Sequence, residues 1–267
     1  MAKTSPRMIE VAARLARIAE AAPSEAQLLS ALRLLAKWRS GMVATTLAKR
    51  SGTVVAHGPF AGMVYGVGAV EGGAAPRLLG LYEASLTPVI EKVIGGGYGL
   101  VIDVGCAEGY YAVGLARRMP GVRVMARDSD ARAQGLCRDL AALNGVADRV
   151  EVGGVLTHDD FALCADQKTF VLCDIEGAED GLLDPALAPG LAHADLLVEV
   201  HEGASRGLLA RLTQRFAPTH TVTRIDRALS PAPLPGWMEE LSDLDRLLAY
   251  WEWRAKPTPW LWMERRA

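Results

Sequence analysis

A short stretch, "LVIDVGCAEGYYAVGLA" at residues 100–116, places an aspartate and two glycines directly after an apolar run. Asp103 lies in the predicted strand. Gly105 and Gly109 allow the backbone to turn tightly and to approach a ligand, and a helix N-terminus follows. In open parallel sheets, ligands bind beyond the carboxyl ends of the strands. The pattern therefore predicts a nucleotide-type pocket at this turn.

The turn lacks the motifs that bind phosphates. The Gly-Lys-Ser/Thr of a P-loop is absent, and so is G-x-G-x-x-G, because Cys106, Ala107 and Glu108 fill the interval between the glycines. An acidic Glu108 inside the turn would repel a pyrophosphate. These residues favour a nucleoside without phosphates, one that can carry a positive charge.

Another carboxylate follows the next predicted strand. The segment "VRVMARDSD" contains Asp128, 23 residues after Gly105, with Asp130 just beyond it. A carboxylate at this strand end can accept hydrogen bonds from both hydroxyls of a ribose. The competing role, capping the helix that begins near Ala131, suits Asp130 better than Asp128.

Together these segments resemble the class I S-adenosylmethionine-dependent methyltransferases over residues 82–267. "VIDVGCAEGYYAVGLA" looks like their first motif, and "VMARDSD" looks like their acidic motif on the second strand. "TFVLCDIEGAEDGLL" followed by "LLVEVHE" is similar to the FkbM-like family within that class. The chain departs from the FkbM pattern at Cys106, where a small or polar residue is usual, and at Asp128–Ser129, where Glu-Pro is common.

The resemblance implies S-adenosylmethionine as cofactor and a methyltransferase activity, with O-methylation of a small hydroxylated metabolite, sugar or natural product. It places Glu83 over the methionine end of the cofactor and the adenine near the end of the third strand, at 154–156. The implied cofactor-binding residues are Glu83, Asp103, Gly105, Cys106, Glu108, Gly109, Asp128, Ser129 and Leu156.

Acidic side chains and one imidazole follow the fourth and fifth predicted strands. They are Asp174, Glu176, Glu179, Glu199, His201 and Glu202. Five carboxylates cannot all be ionised in a dry pocket without a cation or bound protons.

Three interpretations of this group stay open. In the first, His201 is the general base for a hydroxyl acceptor, beside Asp174 and Glu176 as further catalytic residues. In the second, Asp174 with Glu199 or Glu202 holds Mg²⁺, which would lower the pKa of the acceptor hydroxyl. In the third, solvent surrounds Glu179 and Glu202, and Glu176 braces the loop.

The elements that position these residues alternate between strands and helices, which predicts an α/β fold. The expected architecture is a Rossmann-like, doubly wound, mostly parallel seven-stranded sheet with an N-terminal helical extension. Predicted strands cover Leu100–Val104, Val122–Ala126, Val150–Val155, Thr169–Asp174, Leu196–Val200 and Thr221–Ile225, with a last, edge-protected strand in "PTPWLWMERR". Predicted helices cover about 82–94, Tyr110–Met119, Ala131–Leu143 and Ser205–Phe216.

Three segments are expected along the chain. Residues 1–55 form two helices at apolar spacing, as a cap, a homodimer interface or simply part of the core. Residues 56–81 form an irregular linker with short strands, and residues 82–267 form the methyltransferase domain. Five of the six tryptophans lie in the last 31 residues, where they line an acceptor pocket or seal the last strand against the N-terminal helices.

Composition limits the other function classes. A net charge of −2 gives no dominant basic footprint for nucleic acid, and no stretch approaches the length of a membrane span. Four scattered cysteines without a CxxC pair fit a cytoplasmic protein better than a disulfide framework or a zinc site. The expected partner is a small-molecule acceptor. The competing function is a catalytically silent S-adenosylmethionine-binding sensor or assembly protein, and a dehydrogenase lacks its dinucleotide glycines.

Overall fold

A computed structural model describes residues 5–20, 22–70, 72–228, 232–254 and 258–266. One sheet of seven strands crosses the described chain. The strands are β1 Leu100–Val104, β2 Arg123–Arg127, β3 Val150–Gly153, β4 Thr169–Cys173, β5 Ala194–Glu199, β6 His220–Ile225 and β7 Trp260–Arg265. Each of the six strands predicted with bounds agrees with these to within two residues, because their apolar runs end at glycines or acidic residues.

The sheet is covered by helices on both faces. The helices are α1 Pro6–Ala19, α2 Glu25–Ser51, α3 Ala74–Leu79, α4 Thr87–Ile94, α5 Tyr110–Arg118, α6 Ala131–Leu143, α7 Glu179–Leu182, α8 Leu208–Phe216 and α9 Asp243–Tyr250. Leu115 of α5 and Leu140 of α6 are buried on one face, and Leu212 and Phe216 of α8 are buried on the other. The α/β class and the seven strands are thereby confirmed.

The strand order is β3-β2-β1-β4-β5-β7-β6, and β1 to β5 pair in parallel. The chain leaves β1 toward β2 on one side and returns to β4 on the other, which creates a crevice at the carboxyl ends of β1 and β4. Both strands are buried along their whole length. The fold therefore offers its ligand crevice at the ends that carry Asp103 and Asp174.

The last strand departs from expectation. We expected β7 at a protected edge of the sheet, but it lies between β5 and β6 and runs antiparallel to both, so the sheet is mixed. Trp262 pairs with Leu197 on one side and with Thr223 on the other. The first four residues of β7 are buried, as an interior strand requires, whereas β6 forms the partly exposed edge.

The N-terminal helices α1 and α2 cover the residues predicted to be helical, and Ser5 and Ser24 cap them. The second half of α2 is held against the rest of the protein, where Arg39 forms an ion pair with Asp245 of α9 at 2.6 Å. Among the described residues, no helix is long and apolar enough to cross a membrane. The division into an extension, a linker and a main domain stays a prediction.

Two of the tryptophans bind α2 directly. The indole N–H of Trp237 donates to Ser51, and that of Trp253 donates to Ser40. This arrangement matches the seal between the C-terminal segment and the N-terminal helices. The irregular linker was predicted at residues 56–81 with short strands. Its described residues contain α3, and Val64 forms an isolated bridge with Val54, just before the linker.

Candidate active site

The turn after β1 needs glycine for a reason that differs from the expected one. Gly105 has a φ of +83°, and a Cβ atom there would lie 1.7 Å from the carbonyl oxygen of Asp174. Gly109 has a φ of +93°, and its Cβ would lie 2.7 Å from Sγ of Cys137 on α6. The close approaches shown are thus between parts of the protein: the ends of β1 and β4, and helices α5 and α6.

A cavity of about 490 Å³ lies beyond the carboxyl ends of β1 to β4. Its size suits a small organic ligand. Six of the sequence-predicted site residues line it, namely Gly105, Asp128, Ser129, Leu156, Asp174 and Glu176. Asp103, Cys106 and Glu108 line a smaller cavity of about 40 Å³, which shares Gly105 and Asp174 with the large one.

Asp128 is held rigidly at the edge of the large cavity. One carboxylate oxygen accepts from the Ala107 amide at 2.9 Å and the other from the Asp130 amide at 2.8 Å. Each carboxylate oxygen can accept a further hydrogen bond, so Asp128 retains the capacity to bind two hydroxyls. Asp130 caps α6 by accepting from the Arg132 amide, which confirms the capping role assigned to it.

Two carboxylates beside the crevice have buried oxygens that accept no hydrogen bond from the described residues. Both oxygens of Asp103 and one oxygen of Asp174 are in this state, although the Asp174 side chain as a whole is 22% exposed and this oxygen lies 3.7 Å from Nε2 of His201. Burial raises the pKa of Asp103 to about 7, helped by the nearby charges of Asp128 and Glu108 and opposed by an amide at the start of α5. Burial, together with Glu199, also holds the pKa of Asp174 well above its usual range. Such groups are costly unless a ligand supplies a positive charge or donors.

The Glu108 carboxylate is bound by other groups of the protein. Its fully buried carboxylate lies 2.9 Å from Nε of Arg77 and accepts from the Tyr65 hydroxyl at 2.6 Å and the Val70 amide at 2.9 Å. Arg77 balances its charge inside the protein, so Glu108 is a poor candidate for repelling a pyrophosphate or attracting a cofactor. The absence of phosphate-binding motifs remains the argument against a phosphate ligand.

Glu83 is likewise occupied by protein partners. Arg254 forms an ion pair with it, and the Tyr111 hydroxyl donates to it at 2.5 Å. Burial raises the pKa of Glu83 to about 7, although Arg254 opposes the change. Cys106 is a buried thiol whose pKa is raised by its contact with Cys137 and by burial. Sequence reasoning missed Arg77 and Arg254 because no local pattern marks which arginine will meet a distant glutamate.

The fourth and fifth strand ends bring an imidazole and carboxylates together, as predicted. Nδ1 of His201 lies 2.6 Å from Oε1 of Glu179, while Nε2 faces Glu176 at 3.3 Å and Asp174 at 3.7 Å. Burial lowers the pKa of His201, but Glu179 and the other carboxylates, Glu199 among them, outweigh it and raise the pKa above its ordinary value. Burial raises the pKa of Glu179, but the His201 hydrogen bond and the backbone amides of Glu179 and Gly177 together outweigh it and leave that pKa lowered.

The third interpretation placed Glu179 and Glu202 in solvent, which is correct for Glu202 and wrong for Glu179. The Glu179 side chain has no exposed surface, so the interpretation that solvent surrounds it is wrong. Glu202 is exposed and accepts from the amides of Gly207 and Leu209 at the start of α8, outside the cluster. Glu199 is paired with Arg254.

These partners change the residues that could hold a metal. Asp174, Glu176 and His201 bring their ligand atoms within 4.8 Å of one another, whereas the Mg²⁺ alternative named Asp174 with Glu199 or Glu202. An imidazole in the set is less suited to Mg²⁺ than an all-oxygen set would be.

Comparison with known proteins gives structural likenesses only. No family model and no curated protein matches the sequence. An O-methyltransferase from Bacillus cereus in complex with SAH is 14% identical, with 69% of this chain and 81% of that chain covered at a TM-score of 0.47. The O-methyltransferase TomG from Streptomyces achromogenes in complex with SAM is 12% identical, with 85% and 98% covered at 0.48. A SAM-dependent O-methyltransferase from Thermotoga maritima is 15% identical, with 69% and 66% covered at 0.43.

Proposed function

We propose that this protein is an S-adenosylmethionine-dependent methyltransferase that methylates a hydroxyl group of a small metabolite, sugar or natural product. The observation that carries the proposal is the pair of carboxylates Asp103 and Asp174, which have buried oxygens without a hydrogen bond from the described residues, beside a cavity of about 490 Å³. A cofactor with a positively charged amino-acid end and sulfonium would satisfy both groups. The motifs that resemble class I methyltransferases, and the FkbM-like family among them, support the same assignment.

The residues around the cavity fit such a cofactor in their chemistry. Asp128 and Ser129 would bind the ribose, and Leu156 supplies an apolar wall for the adenine. Asp103 and Asp174 would face the cationic part. When bound, S-adenosylmethionine supplies a methyl group activated by the positive charge of its sulfur.

The remaining task of the protein is to remove a proton from the acceptor hydroxyl. His201 is suited to this because Nδ1 donates a hydrogen bond to Glu179, which makes Nε2, beside Glu176 and Asp174, the nitrogen that would take the proton. The negative charge of Glu179 also stabilises the imidazolium that forms when Nε2 takes the proton. Glu176 is exposed beside Nε2 and is positioned to orient an acceptor hydroxyl.

Calorimetry with S-adenosylmethionine, S-adenosylhomocysteine and NAD tests the cofactor. We expect the first two to bind and NAD not to bind; the opposite result would overturn the proposal. Asp128→Ala should weaken the binding of S-adenosylhomocysteine more than tenfold, because a carboxylate hydrogen-bonded to two hydroxyls contributes more than about 1.4 kcal/mol. Asp139→Ala, an exposed aspartate of α6, is the matched control and should leave the affinity unchanged.

Methyl transfer to a panel of hydroxylated acceptors tests the catalytic part. His201→Ala should lower kcat by about 10²- to 10⁴-fold, the usual contribution of a general base, while cofactor affinity stays the same. Cofactor binding without turnover on any acceptor, with His201→Ala changing only stability, would favour a silent cofactor-binding protein instead.

A further inference from the structure

A second cavity, of about 350 Å³, lies on the other side of the segment that follows the bridge at Val64. It is enclosed by α2, by parts of residues 53–78 and by the ring of Trp253. Val70 lines the cofactor cavity, while its neighbour Ala69 lines this second one. The segment is therefore a wall between two separate spaces, and the proposed function uses only the first.

Many residues that line the second cavity have small side chains, and Thr45, Thr53 and Tyr65 add hydroxyl groups to an otherwise apolar lining. The lining residues on α2 include Gly41, Ala44 and Ala48, and the opposite wall includes Ala69 and Ala74. The only charged side chain among the described lining residues is Arg7 of α1. An apolar chamber of this size is at the lower end of the range for small-molecule sites.

Two positively charged side chains lie near the second cavity. The Arg7 guanidinium crosses α2 at Gly41, where a Cβ atom would lie 2.9 Å from it. Lys37 lies 5.3 Å from the centre of the Trp253 ring. Within the described part of the chain, neither Arg7 nor Lys37 forms a hydrogen bond or an ion pair with a carboxylate.

The N-terminal part of the chain, which contributes Arg7 and Lys37, is positively charged as a whole. Residues 1–51 contain nine Lys/Arg and three Asp/Glu, a net charge of +6 within a protein whose overall charge is −2. The cofactor cavity, in contrast, is lined by Asp128, Asp130, Asp174 and Glu176 with one arginine. Opposite electrostatics mean that the two cavities select ligands of opposite charge.

We infer that the second cavity binds a small amphipathic carboxylate, whose aliphatic body fills the space between α2 and Trp253 and whose carboxylate pairs with Arg7. The guanidinium suits a carboxylate because its two N–H groups match the two oxygens. Lys37 lies over the ring of Trp253, which lines the cavity, and adds a second positive charge nearby.

Octanoate is the probe, with octanamide as its neutral analogue and octylammonium as its cationic analogue. Calorimetry on the full chain should show binding of octanoate, with octanamide about tenfold weaker, since the neutral amide cannot form the charge-assisted hydrogen bonds with the guanidinium. Octylammonium should not bind. Absence of octanoate binding at millimolar concentration, or equal affinity for octanamide, would overturn the inference.

Two variants locate the site. Arg7→Gln should weaken octanoate binding about tenfold, and Ala48→Leu, which fills the chamber, should abolish it. Arg17→Gln, another arginine of α1 that does not line the cavity, should bind octanoate like the unmodified protein. Circular dichroism establishes that each variant is folded. An octanoate affinity that Arg7→Gln leaves unchanged would refute the assigned carboxylate site.

Discussion

The pair of His201 and Glu179 leads to a quantitative expectation. The Glu179 side chain is fully buried, and its Oε1 lies 2.6 Å from His201 Nδ1. Glu179→Gln keeps the shape and still offers an acceptor at this place, because the Gly177 amide donates to the same oxygen at 3.1 Å. The variant therefore removes the charge and retains the hydrogen bond. A buried, charge-assisted hydrogen bond contributes about 1.5–3 kcal/mol, and a neutral one about 0.5–1.5 kcal/mol.

The pH dependence of this pair follows from the directions of the two pKa changes. The folded-state pKa of His201 is raised above 6.5, so its stabilisation is fully present below pH 6.5 and is lost as the pH rises through the folded pKa. The folded-state pKa of Glu179 is lowered below 4.5, so its stabilisation is present above pH 4.5 and is lost as the pH falls through the folded pKa. The two contributions overlap between these limits.

A double-mutant cycle of Glu179→Gln and His201→Asn, measured by urea unfolding, tests this expectation. We expect a coupling of about 1–1.5 kcal/mol at pH 6, which is the difference between the charge-assisted and the neutral hydrogen bond. The coupling should be smaller at pH 9, because the imidazolium is lost as the pH rises through the folded-state pKa of His201. Lys92 and Glu264 form a half-exposed ion pair at 2.6 Å and provide the control cycle. Their coupling should be about 0.2–1 kcal/mol, the usual range for an ion pair that is exposed to solvent. A His201–Glu179 coupling that equals the control at pH 6, or does not change by pH 9, would refute the assigned ion pair.

Two further predictions concern the turn after β1. Gly105→Ala should destabilise the fold by more than about 3 kcal/mol in urea unfolding, because its Cβ would lie 1.7 Å from the Asp174 carbonyl oxygen. The control is Gly121→Ala, which has a similar φ of +86° and open space around its Cβ and should lose only about 1–2 kcal/mol. Equal losses in the two variants would contradict this reasoning. Asp103→Asn should stabilise the ligand-free protein at pH 8 and not at pH 4, since a pKa raised from 3.8 to about 7 lowers stability as the pH rises between these values, by up to about 4 kcal/mol. Urea unfolding at both pH values measures this effect. If Asp103→Asn changed the free energy of unfolding equally at pH 4 and pH 8, burial would not destabilise the charged form of Asp103.

Much of the architecture was predictable because its signals are local. The apolar runs of β1 and β4 end at glycine or acidic residues, and Asp130 marks the start of α6 by capping it. The convergence of Asp174 and His201 was predictable too. Adjacent parallel strands bring their carboxyl ends to one edge of the sheet, so residues that follow these strands must meet there.

The position of β7 was not predictable in this way. A strand that is buried on both faces has the same apolar sequence pattern inside a sheet as at a covered edge. Only its pairing with β5 and β6 shows that β7 lies inside the sheet. The same limit applied to the tryptophans, whose two alternative roles differ only in what Trp237 and Trp253 contact.

The sequence by itself determined the carboxylates and glycines of the candidate site, their order along the chain and the strand ends that carry them. Only the tertiary structure decided which carboxylates are available to a ligand. Arg77 neutralises Glu108 and Arg254 neutralises Glu83, whereas Asp103 has no partner among the described residues. The physical reason is that an ion pair depends on distance in space, and any of 29 lysines and arginines could have met a given glutamate.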